Sequence, residues 1–340
     1  MIKVLGIVVV VAILAAAGYQ VRSPRPEVIV PAEIIAHPFG FPLSNTFITA
    51  WITIAVLLTL FYFATGFNGS RMKLIPSGIQ NFMEAAVGGL LDFVVGIAGE
   101  HNGRKFFPLV ATIFLFIITN AWLGLLPGFG TIGPVSNVEH GNPRDFKEVN
   151  LGGLKLALIL PGMPQPEAAK DDDSAVVAHP AKTPEGMING VLVPALRPAN
   201  TDLNTTLGLA LIAMLFIQFW GIQANGPFSY GGRFLRVGEI FKGRIGFGLL
   251  DLYVGLLETI GEFAKIISFT FRLFGNMFAG EVLLLFIAWL VPFVGVLPFM
   301  GLELFVGFVQ ALVFAGLTLV FSTMAVASHG EEHAEHAESH

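Results

Sequence analysis

The stretch 269-FTFRLFGNMFAGEVLLLFIAWL-290 sets one arginine, Arg272, inside an apolar run long enough to cross a bilayer as a helix. An arginine at mid-membrane costs about 2.5–3.5 kcal/mol on insertion scales, so it needs a partner or a wet cavity. Snorkelling explains it poorly, because the helix extends well to both sides. Glu281 is no partner on the same helix: nine residues put it about 180° round and about 13.5 Å along the axis. Ser268 and Asn276 lie four residues to either side of Arg272 and share its face. Gly275 and Gly280 keep the helix slim, which lets another helix or water come close. For the Ser268 hydroxyl, a bond back to the helix backbone is an equal alternative.

Composition agrees with a membrane setting. The chain has 340 residues, 54% hydrophobic and 13% charged, where soluble domains carry about 25% charged residues. Mean hydropathy is +0.74. The apolar runs are long rather than alternating, which selects helices over a β-barrel. The expected fold is an all-α polytopic membrane protein with five transmembrane helices plus interfacial amphipathic helices. The net charge is −5, and without a basic, aromatic-interleaved patch nucleic acid is not an expected partner. With no cysteine, thiolate metal sites and disulfides are excluded. There is no Walker A loop, serine elbow or zinc motif, so no cofactor and no metal is expected.

Residues 1–18 combine Lys3, a short apolar run and Ala15-Ala16-Ala17. This reads as a secretory signal or as an uncleaved anchor. A proline-rich lead-in, 19–45, should lie outside the cytoplasm. Residues 46–127 hold two spans, about 46–67 and 106–126, with an amphipathic helix between them that carries Glu84, Asp92 and Glu100. Residues 128–200 read as an external, partly disordered insert. Its Asp171-Asp172-Asp173 run is a solvated charge run before it is a cation site. Residues 201–262 hold a third span to about 222 and a basic loop with Arg233, Arg236, Lys242 and Arg244. Residues 263–328 form a helical hairpin turned near Pro292, and 329–340 are a polar tail whose histidines read as solvated. The short basic loops place the regions around 68–105 and 223–245 in the cytoplasm, with the tail.

Further polar residues punctuate the spans. Glu303 and Gln310 are seven residues apart, within about 20° of one stripe, and suggest a hydrated line or an interhelical hydrogen bond. Asp202 stands at the start of the third span, where capping is the ordinary role. Glu281 and Glu303 flank the hairpin turn, where a carboxylate pair can pass protons towards Arg272. Arg272 keeps its charge and serves better as attractor and block than as relay.

"FRLFGNMFAGE" and "VQALVFAGLTLVF" resemble subunit a of the F-type ATP synthases, as do "IPSGIQNFMEAAV", "RKFFPLVATIFLFIITNAWLGLLPG" and "NTDLNTTLGLAL". The resemblance covers most of the chain after Pro76. It implies a membrane stator subunit in a bacterial inner membrane, whose last two spans are long, tilted and packed against a ring of c subunits. The b subunits of the peripheral stalk, the rest of the ATP synthase and the lipid bilayer are the other implied partners. Arg272 matches the family's essential arginine, which faces the ring's carboxylates between two offset half-channels. Asn276, Glu281, Glu303 and Gln310 match the outer path, Asp202 its mouth, and Ser268 the inner path. The insert within 128–200 and the signal-like segment depart from the common pattern. A secondary transporter holding a small anion at Arg272 is the rival reading, but the sequence shows no internal repeat.

Overall fold

The computed structural model describes residues 30–36, 42–66, 75–126, 129–130, 132–133, 135–136, 144–151, 154–158, 187–234, 245–291 and 294–327, with residues 28, 40, 69, 72 and 73. The signal-like segment 1–18, the Asp171–Asp173 run, the basic loop from Arg236 to Arg244, Pro292 and the tail 329–340 lie outside the described residues.

Among the described residues six α-helices carry the fold: α1 Asn45–Thr65, α2 Ile79–Gly124, α3 Leu203–Asn225, α4 Pro227–Phe234, α5 Ile245–Leu290 and α6 Val296–Val326. Five of them, all but α4, contain stretches long and apolar enough to cross a membrane. The chain is thus a helical, multi-pass membrane protein. The arginine helix begins well before Phe263, because Ile245–Leu290 is one unbroken helix of 46 residues. At 1.5 Å per residue it is about 69 Å long, more than twice the roughly 30 Å hydrocarbon core, so it tilts or projects beyond it.

The amphipathic helix and the second span form the single element α2, bent at Gly99, where φ is 75° and ψ 167°. That conformation is open essentially to glycine alone. The chain doubles back there: a Cβ on Gly103 would touch the Val95 backbone at 3.0 Å, and straight helix would hold those two residues about 12 Å apart. Before the bend α2 buries Met83, Leu90 and Val94 and exposes Glu84 and Asp92, as an interfacial amphipathic helix does.

Between α2 and α3 run strands of an antiparallel sheet: β3 Ile132–Gly133, β4 Val135–Ser136, β5 Arg144–Leu151, β6 Leu154–Leu158 and β7 Met187–Leu192, in the order β3-β6-β5-β7-β4. A smaller pair, β1 Ile34–Ala36 and β2 Leu43–Ser44, precedes α1. Residues 159–186 of the insert lie outside the described residues.

The chain divides into two units: Met1–Thr53, Asn120–Asp202 and Asn276–Gly307 in the first, and Ile54–Thr119, Leu203–Gly275 and Phe308–His340 in the second. The first is held by buried polar joints. The Asn120 side chain donates to the Thr53 hydroxyl at 2.9 Å and accepts from the Asn200 backbone N–H at 3.1 Å. The Thr46 hydroxyl donates to Asp202 at 2.9 Å. The Trp122 indole N–H donates to the Leu304 carbonyl at 3.1 Å, and Gly307 lets Ala121 approach closely.

The second unit has an apolar core. Val94, Phe106, Val110, Trp220, Ala315 and Leu319 form one buried cluster from α2, α3 and α6. On α5, Phe269 packs against Phe314 and Phe321, with ring centroids 4.9 and 5.8 Å away.

Candidate functional site

In the second unit, Arg272 is half-buried on α5, and its Nη2 donates to the Ser268 hydroxyl at 3.4 Å. Helix geometry alone sets this pair, since residues four apart share a face. Among the described residues Arg272 has no carboxylate partner. It borders an exposed apolar stripe, Phe263, Ile267 and Phe271, which repeats every four residues and runs on to exposed Gly275. The buried stripe of the same helix is Phe269, Thr270 and Leu273. The arginine thus sits at the edge of the face that the described residues leave uncovered. Gln310, on α6, is buried.

A second polar chain in this unit went unread in the sequence. Tyr230 Oη donates to Gln218 Oε1 at 2.6 Å, and Gln218 Nε2 donates to Glu262 Oε2 at 2.9 Å. Lys265 Nζ donates to Glu262 Oε1 at 2.6 Å and lies 4.7 Å over the Phe321 ring. Glu262 and Lys265 stand three residues apart in the sequence, a helical pairing distance that was the available signal.

The first unit holds Asn276, Glu281, Glu303 and Asp202. Asn276 is exposed on α5. Gly280 lets the Glu303 carboxyl of α6 lie directly on the α5 backbone, one residue from Glu281. Glu303 thus packs on the same turn of α5 that carries Glu281, whose own carboxyl turns elsewhere. Asp202 is buried and holds α1 through Thr46.

Glu281 has a partner that sequence reasoning missed. Arg197, 4% exposed, donates from Nε and Nη2 to Glu281 Oε2, both at 3.2 Å. Its Nη1 donates to the Pro31 carbonyl at 3.2 Å, and its guanidinium stands 5.7 Å from the centre of the Phe278 ring. A buried guanidinium needs such an anion, because an unpaired one is strongly destabilising.

Glu33 completes the group. Asn45 Nδ2 donates to Glu33 Oε2 at 3.5 Å, and Asn45 N donates to the Glu33 carbonyl at 3.0 Å. The Glu33 carboxyl is raised to about 7, chiefly by burial, with the charge of Arg197 opposing the rise and that of Glu281 adding to it. Among the described residues no group of histidines and carboxylates is arranged to hold a metal ion.

A profile of the family described as ATP synthase A chain matches residues 47–323. The chain is 28% identical over 289 residues to ATP synthase subunit a of Geobacter sp. (strain M21), covering 84% of this chain and 90% of that protein. It is 30% identical over 271 residues to ATP synthase subunit a of Geotalea uraniireducens (strain Rf4), covering 80% and 82%. ATP synthase subunit a of Desulfosudis oleivorans is 29% identical over 276 residues, covering 81% and 84%.

Proposed function

The chain belongs to the ATP synthase A chain family, and from that membership we propose that it is the proton-conducting stator subunit of an F-type ATP synthase, with Arg272 as the barrier between two offset half-channels. It is a multi-pass membrane subunit of an ATP synthase. On this reading α5 and α6 face a ring of c subunits, and the peripheral stalk's b subunits hold the chain still. Ring carboxylates take a proton from one half-channel, ride the ring almost a full turn, and release it into the other. Arg272 draws each carboxylate into its ionised form and keeps the half-channels apart. Ser268 lines the inner path. Asn276, Glu281, Glu303 and Gln310 line the outer one, with Asp202 near its mouth. The insert 128–200 lies outside the bacterial inner membrane and the tail in the cytoplasm.

One observation carries the reading. Arg272 is a permanent charge on a membrane helix, without a carboxylate partner among the described residues, beside an uncovered apolar stripe. A charge so placed calls for a carboxylate on another chain. Affinity purification of this chain from its own membranes is expected to bring down a c-subunit ring. Recovery of the chain alone, able to carry a small anion, would favour the transporter instead.

A further inference from the structure

Resting on the stator reading above, we propose that Glu33 and Arg197 belong to the proton path: Glu33 exchanges protons with external water and hands them to Glu281, and Arg197 is the positioning residue that fixes the Glu281 carboxylate for the transfer. Arg197, almost fully enclosed, pairs with Glu281 and also donates to the Pro31 carbonyl, two residues before Glu33, so one cation ties together two carboxyl-bearing segments. Arginine does not give up its proton. With both carboxyls ionised the trio carries a net negative charge, which a partly desolvated site disfavours; one added proton makes it neutral. The trio therefore holds one exchangeable proton. Both Arg197 bonds fall on a single Glu281 oxygen, Oε2, which fixes the orientation of that carboxyl. Glu33 has instead a long amide contact from Asn45, the first residue of α1, and lies on the segment that leads into that helix. It is the member suited to meet bulk water, and it titrates close to neutral pH.

The other charged groups around the trio are accounted for. Glu303 lies against Gly280, the residue before Glu281, and Asp202 is bound to Thr46, next to Asn45. The step is a proton transfer only: hydronium gives its proton to the Glu33 carboxylate and leaves as water. The Glu33 acid then gives it to the Glu281 carboxylate, while Arg197 keeps its own charge throughout.

The test uses the whole synthase reconstituted in vesicles, with F1 removed and proton conduction driven by a potassium diffusion potential, from pH 5 to 9. The wild-type profile should inflect near pH 7, conduction falling as pH rises and Glu33 loses its proton. Glu33→Gln should lose that inflection, Glu33→Asp should keep one, and Arg197→Lys should lower conduction at every pH with the complex still assembled. A Glu33→Gln profile that matches wild type would overturn the proposal. Arg272→Ala, assayed for coupled ATP synthesis in parallel, separates the two ideas. If Arg272→Ala abolishes synthesis and Glu33→Gln changes nothing, this inference alone fails; if Arg272→Ala also changes nothing, the stator reading fails with it.

Discussion

At Gly280 there is no room for a methyl group, because a Cβ there meets the Glu303 carboxyl. What it meets is the end of a side chain, so the helices can stay in place while the carboxyl moves. Gly280→Ala is expected to lower proton-driven ATP synthesis with the complex still assembled. Gly208→Ala, where a Cβ would meet nothing within 4 Å, should run near wild type. Equal rates for the two variants would remove Glu303 from the path. Glu33 makes a second prediction, on stability. Its carboxyl is raised from an ordinary 4.5 to about 7. Between these values the folded chain binds more protons than the unfolded one, so stability falls as pH rises through that window. Glu33→Gln should therefore gain thermal stability over wild type progressively from pH 4.5 to 7 and keep that gain above. A constant offset across the window would contradict the assignment.

At the scale of elements, two joints decide how the helices are laid out. Gly99 takes a backbone conformation that costs other residues about 1–3 kcal/mol, so Gly99→Ala should destabilise the subunit by that amount in detergent unfolding. Asn120, fully buried, ties Thr53 of α1 to the Asn200 backbone. Asn120→Leu strips the Asn200 N–H of that acceptor and should cost about 1–3 kcal/mol in the same assay. The helices themselves were legible, because continuous apolar runs announce spans by length. Their ends were less so: α5 extends back to Ile245 through sequence with Asp251, Glu258 and Glu262, whose charges hid the helix continuity. The strands of the insert had a signal that proline and acidic content obscured. Gly152-Gly153 separates β5 from β6, and Leu151 pairs with Leu154, the spacing of a two-residue hairpin. Arg197 and Glu281 stand 84 residues apart, and no periodicity predicts a contact across that separation. Arg272 was legible for the opposite reason: its meaning lies in being out of place within its own helix.

For the whole molecule, α5 is the decisive element. It leaves an apolar stripe from Phe263 to Phe271 exposed beside a charge that no described carboxylate of this chain meets. Lipid can cover the stripe, but only a partner with an acidic group also satisfies the arginine. A negative charge on that stripe, Ile267→Glu, should therefore offer Arg272 a false partner and reduce recovery of the c-ring with the purified chain. Undiminished recovery and activity would argue that the ring packs elsewhere. The most direct test of the barrier itself is coupled ATP synthesis by membranes carrying Arg272→Ala under an imposed proton gradient. The stator reading predicts that synthesis is abolished in a fully assembled complex; synthesis at the wild-type rate would contradict it.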